Sequence, residues 1–171
     1  MPCSREWAVA AAPAGRKAHT DAVATRTFDL ETTVPVAPAD AIDFLTQLDR
    51  HRGLHPYIQS AERIAQGSDD EGPWMQWEIV DRPKLGPFPY TIRFPSRVTR
   101  TSVSSYISRV KAAPGCTMEI RTHASVTDAG TLVAETVTVS APRPLLGYMT
   151  RQALLAHTRT FERLPGELSR Q

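Results

Sequence analysis

The chain has 171 residues, 41% of them hydrophobic and 22% charged, with a formal net charge of +2. That suits one domain with one core, and the intermixed signs of charge exclude the clustered basic surface of a nucleic-acid binder. No apolar run approaches the roughly 20 residues of a membrane span, and the two cysteines, Cys3 and Cys116, form neither a disulfide framework nor a zinc spacing.

Residues 1–23 are rich in alanine, with Pro13 and Gly15 and no sustained pattern, and are expected to be a disordered tail. The short run Ala8–Ala12 follows Glu6 and is too brief for an export signal, so a cytoplasmic setting is expected. The single domain is expected over 24–171. From Arg26 to Val34 the residues alternate, with Phe28, Leu30, Thr32 and Val34 on one face of a half-buried strand. Pro35 ends it. Pro38-Ala39-Asp40 opens a short helix whose apolar set is Ile42, Phe44, Leu45 and Leu48. Leu54-His55-Pro56-Tyr57-Ile58 reads as a turn or a second short helix entered at a proline.

Six strands follow. They are expected near 61–66, 75–80, 90–94, 104–112, 116–126 and 131–140, separated by an acidic turn, a proline-rich loop at 82–89, Pro114-Gly115 and the hairpin signal Asp128-Ala129-Gly130. Pro95 is expected to mark a bulge or an edge. Cys116 is expected as a small strand residue and Cys3 as an exposed thiol. The last stretch, Leu145–Ser169, reads as a long amphipathic helix. Leu146, Met149, Ala153, Thr160 and Leu164 share its apolar face, His157 lies at the edge, and Pro165-Gly166 should fray or kink its end. Sequential strands with short turns pair antiparallel. The expected class is therefore α+β: a curved seven-stranded antiparallel sheet around a long C-terminal helix, with two short helices after the first strand.

This order resembles the SRPBCC superfamily, which includes START domains, pollen-allergen-like proteins and polyketide cyclase/dehydrase-like proteins. The local likeness lies in Thr33-Val34-Pro35-Val36-Ala37-Pro38-Ala39-Asp40-Ala41-Ile42-Asp43-Phe44-Leu45, followed by Leu54-His55-Pro56-Tyr57-Ile58. Many members carry an aromatic residue just before the His-Pro, where this chain has Leu54. The resemblance covers roughly residues 25–168. It implies a helix-grip fold with a deep hydrophobic cavity and no single reaction, since members differ in catalytic residues and many only bind.

Cavity-wall candidates are the inward-phase residues Phe28, Leu30, Trp77, Ile79, Tyr90, Ile92, Phe94, Met118 and Ile120, with Leu146, Met149 and Ala153 on the helix side; each of them would equally serve as plain core. Two candidates carry chemistry. In one phase of the last strand Val133, Val137 and Val139 turn inward and take Glu135 with them, as a desolvated general acid or base. In the rival phase, or with a bulge, Glu135 stands in water. His157 would hold or move a proton for a bound hydroxyl or carbonyl, or serve as an ordinary structural histidine. Asp81 sits at a strand end as a turn residue or at a cavity mouth. His55 reads as a capping residue and His123 as solvent-facing. Tyr90, Tyr106 and Tyr148 are candidate phenol donors, while Leu85 and Phe88 would gate an entrance or tuck onto the sheet. The five histidines show no paired ligand spacing, so no metal and no cofactor are expected. The leading expectation is a carrier for an apolar small molecule of polyketide, lipid or isoprenoid class, acting as monomer or homodimer. The alternatives are a cofactor-independent cyclase or dehydratase and a protein-interaction module.

Overall fold

The computed structural model describes residues 23–170, apart from the side chain of residue 85. The expected tail therefore lies outside the described residues, except that Val23 already belongs to the first strand. So does Cys3, and so does the gating role expected of the Leu85 side chain. In chain order the elements are β1 (Val23–Val34), α1 (Pro38–Thr46), a 3-10 turn (Leu48–His51), β2 (Ile58–Asp69), β3 (Gly72–Asp81), the two-residue strands β4 (Lys84–Leu85) and β5 (Phe88–Pro89), β6 (Ile92–Ser102), β7 (Ser105–Ala113), β8 (Cys116–Thr127), β9 (Gly130–Pro142) and α2 (Arg143–Leu168). Seven strands form one antiparallel sheet in the order β1-β9-β8-β7-β6-β3-β2, and β4 and β5 pair as a separate miniature hairpin. This is the expected α+β helix-grip arrangement. None of the described helices is long and apolar enough to cross a membrane.

Alternation sets the inward face. Along β9, Thr131, Val133, Glu135, Val137, Val139 and Ala141 are buried and the residues between them are not. The ladders from β9 to β1 and to β8 run without a register shift, so no bulge reverses that phase. Shifts do occur in the β2–β3, β6–β7 and β7–β8 pairings. Such bulges bend a strand and increase its twist, which helps this sheet to curl. Gly130 begins β9 with φ of +128°, and a Cβ there would stand 2.8 Å from the carbonyl oxygen of Val34. Only glycine lets the hairpin approach β1 so closely.

The chain crosses between the two edge strands through α1 and the 3-10 turn. Pro38 stands in the first turn of α1, where its missing N–H costs nothing. Ile42, Phe44, Leu45 and Leu48 are buried against the sheet. Of the two readings for 54–58 the turn holds, and the second short helical element is the 3-10 turn just before it at Leu48–His51. Gln47 N–H closes back on the Phe44 carbonyl, and the Leu54 and His55 N–H groups both reach the His51 carbonyl, so the donors are spent before Pro56. Pro95 causes no bulge: it pairs opposite Glu78 on β3, and the ladder to β7 begins only at Ser96. Its missing N–H thus falls where no second strand asks for one.

Helix α2 packs across β1 and β9. Leu146, Ala156, Thr160, Phe161, Leu164 and Leu168 are buried, while Arg151, Arg159 and Glu162 are exposed. The helix does not end at Pro165 but continues to Leu168. Ser169 compensates the end by donating both its N–H and its hydroxyl to the Pro165 carbonyl.

Candidate functional site

Between the concave face of the sheet and α2 lie two adjoining cavities, of about 100 Å³ and about 90 Å³. Ile79, Ile120, Tyr106, Ser96 and Ser108 line the first, on the side of α1 and the 3-10 turn. Tyr90, Ile92, Tyr148, Met149 and Ala153 line the second, toward the start of α2. His55, Asp81, Phe94, Val110, Met118 and His157 line both. Of the expected wall residues, Ile79, Tyr90, Ile92, Phe94, Met118, Ile120, Met149 and Ala153 stand at these cavities. Trp77 does not: it has the inward phase but is 2% exposed and lines neither cavity. It lies two residues deeper than Ile79, where core side chains have closed the space. Leu146, Phe28 and Leu30 also stand outside both linings; Leu146 is core, and the Phe28 ring meets the His157 ring edge-on with centroids 6.3 Å apart.

Glu135 and His157 meet. His157 Nδ1 donates to Glu135 Oε1 at 2.6 Å, and the Thr122 hydroxyl donates to Glu135 Oε2 at 3.2 Å. The side chain of Glu135 is 3% exposed and that of His157 14%. The register explains the contact, since Glu135 faces Leu30 on β1 and Thr122 on β8, and α2 lies over β1 and β9. With Nδ1 committed to the carboxylate, a neutral His157 ring keeps its lone pair on Nε2, which has no partner among the described residues.

Three further groups converge on the same space. Asp81 ends β3, buried, and its Oδ1 has no hydrogen-bond partner among the described residues. Burial pushes its carboxyl up to about 7, although nearby His157 draws it down. His51 is buried and stacked on Phe44 with ring centroids 5.8 Å apart. Burial lowers its imidazole to about 4, partly offset by the Phe44 backbone. His55 accepts the Tyr57 N–H at Nδ1 over 3.3 Å, the turn-capping bond expected of it. Its ring nevertheless stands edge-on to His157, centroids 6.3 Å apart, and burial holds it neutral well below its ordinary range. His51 and His55 were missed as site residues, although their separation of four residues on either side of one tight turn was the available signal. His123 faces outward and meets the Ser105 hydroxyl at 2.9 Å.

Over the second cavity the β4–β5 hairpin is tied to α2. Tyr90 donates to the Tyr148 hydroxyl at 2.8 Å, and Tyr148 donates onward to the Lys84 carbonyl at 3.2 Å. Burial pushes the Tyr148 phenol up, and its bond to Tyr90 adds to that. Tyr57 donates to Gln152 Oε1 at 2.9 Å, a second tie onto α2. Phe88, at the hairpin tip, is 75% exposed and does not tuck onto the sheet. No cluster of three or more potential metal ligands with suitable geometry occurs among the described residues.

No protein-family model and no curated relative matches the chain. Solved structures do match in shape. Ara h 8.0201 is 17% identical, with a TM-score of 0.65 over 86% of this chain and all of that one. The Zhui aromatase/cyclase from Streptomyces sp. R1128 is 11% identical, with a TM-score of 0.64 over 87% of this chain and 95% of that one. A START superfamily protein from Mycobacterium smegmatis is 11% identical, with a TM-score of 0.61 over 84% and 98%. The chain therefore shares the fold of these structures, the helix-grip arrangement that the resemblance of its N-terminal motif implied.

Proposed function

We propose that this SRPBCC-fold chain binds a small, mainly apolar molecule in the paired cavities and fixes one polar group of that molecule at the His55–Asp81–His157 junction. The observation that carries the reading is the junction itself: apolar walls on both sides and polar atoms without protein partners where the two cavities meet. A dry apolar cavity of roughly 150 Å³ holds a benzene-sized molecule. The two lobes together suit a guest of one or two rings; a long polyketide chain would need α2 or the hairpin to move. The carrier reading is tested by native mass spectrometry of the purified protein followed by organic extraction. The expected result is a retained apolar molecule of this size. An empty protein that also fails to take up fluorescent apolar probes overturns it.

One observation favours a second reading, acid–base chemistry on the bound molecule. His157, oriented by Glu135, presents an unpartnered Nε2 to the cavity, and Asp81 stands in the same space with its carboxyl near 7. An imidazole and a carboxyl in one cavity suit proton transfer in a cyclase- or dehydratase-like reaction, and the Streptomyces neighbour is named an aromatase/cyclase. Glu135→Gln and His157→Asn would then lower turnover of an identified ligand 100-fold or more while leaving its binding within a few-fold. Unchanged turnover in both variants leaves the carrier reading alone.

A further inference from the structure

From the chemistry of the cavity walls we infer that the ligand is a small apolar amine, held by its ammonium group against Asp81. The inference rests on the cavity reading above and sharpens it to a charge class. Neither cavity is lined by a lysine or an arginine, whereas Asp81 stands at both and Glu135 at the first. A carboxylate or phosphate guest would meet two carboxyl groups and no lysine or arginine, which disfavours the fatty-acid class. Glu135 has its partners in His157 and Thr122. The buried Oδ1 of Asp81 is unsatisfied, and no lysine or arginine among the described residues forms an ion pair with it, nearby His157 being the one basic group that acts on its carboxyl. A buried carboxylate without a counter-charge is costly, and the cost is relieved by a cation arriving with hydrogen-bond donors. His157 lines both cavities together with Asp81 and offers its Nε2 as a further acceptor for the ammonium group. The aromatic or alicyclic body of the amine fills the lobe walled by Ile92, Met149 and Ala153.

The test is isothermal titration of the purified full chain at pH 8 with 2-phenylethylamine, 2-phenylethanol and 3-phenylpropionic acid, which share a body and differ in charge. The amine is expected to bind at least tenfold more tightly than the alcohol, and the acid more weakly than either. In Asp81→Asn the amine should fall to within about threefold of the alcohol, whose own binding persists. A second measurement needs no variant. Between pH 8 and pH 6 amine affinity should fall about tenfold as Asp81 takes up a proton, while alcohol affinity holds. The groups facing this space are His51 and His55 from the turn, Tyr57 beyond it, Tyr90 before β6, Tyr106 from β7, Glu135 from β9, and Tyr148 and His157 from α2. The pH response must therefore also vanish in Asp81→Asn to be credited to Asp81. Acid binding equal to the amine's, or an amine preference that survives Asp81→Asn, overturns the inference and leaves the cavity reading standing. Failure of all three compounds to bind overturns both.

Discussion

The two faces of the sheet treat ionisable side chains in opposite ways. On the convex face charges are paired within and between strands and with the β2–β3 turn. Arg109 joins Glu71 at 2.5 Å and Glu119 at 3.3 Å, Arg121 joins Glu119 at 2.7 Å, Arg93 joins Glu78 at 2.5 Å, and Arg97 meets Asp69. Register places Arg109 directly opposite Glu119, and the Arg109 guanidinium holds the Glu71 carboxyl below its ordinary range. On the concave face His51, His55, Asp81, Glu135 and His157 are gathered with a single ion-pair contact, Glu135–His157, among them. An exposed pair costs little to form and little to lose. A buried ionisable group is tolerated only with a partner or a purpose. The contrast sets the buried concave cluster, on which the proposed function rests, apart from the exposed convex lattice.

The largest way to break that contrast is to remove the partner of the buried carboxylate. His157→Leu should cost roughly 3–5 kcal/mol, because Glu135 is then left buried with only Thr122; the midpoint of urea unfolding reads it. Glu135→Gln with His157→Leu together should recover much of that loss, a non-additivity that a double-mutant cycle would show.

Asp81→Asn should act in the other direction. Its carboxyl rises from 3.8 to about 7 on folding, so the unfolded chain gives up its proton first and stability falls as pH climbs from about 4 to 7. At pH 8 the cost corresponds to roughly 4 kcal/mol at most, and Asp81→Asn should regain a large part of it while gaining nothing at pH 3. His51 has the opposite sign. Its imidazole falls from 6.5 to about 4 on folding, so it supports the fold fully above 6.5, and that support is lost as pH falls toward 4. Asp81→Asn should therefore unmask a stability that rises with pH between 4 and 6.5 and then levels. An unchanged pH profile of unfolding in the variant would show that the Asp81 carboxyl is not desolvated.

A smaller effect is expected at the hairpin tie. Tyr148→Phe removes the acceptor of the Tyr90 phenol and the donor to the Lys84 carbonyl, and should cost about 1 kcal/mol while speeding ligand exchange in stopped flow. The smallest belongs to the convex face. Arg93→Ala breaks its pair with Glu78 and should change stability by less than about 1 kcal/mol, vanishing in high salt. A loss as large as that of His157→Leu would erase the distinction between the faces.

The periodicity of the chain already contained much of this molecule. Alternation at Phe28–Val34 and Cys116–Ala124 set the inward phase of β1 and β8, and the helical stripe from Leu146 to Leu164 set the face of α2, because side-chain direction is a local consequence of backbone geometry. It also contained the candidacy of Glu135, as one of two strand phases. Tertiary structure chose between them: unbroken ladders on both sides of β9 hold Glu135 inward, and α2 crosses where His157 meets it. Local pattern had no means to show that Trp77 lies too deep to reach a cavity while Asp81, two residues beyond Ile79 on the same strand, stands at its centre. Nor could it show that His51 and His55, though paired about one turn, face the same space as His157. Which inward side chains close-pack and which are left facing a void depends on how far the helix and the 3-10 turn stand from the curled sheet, and that distance is set by contacts between residues remote in sequence.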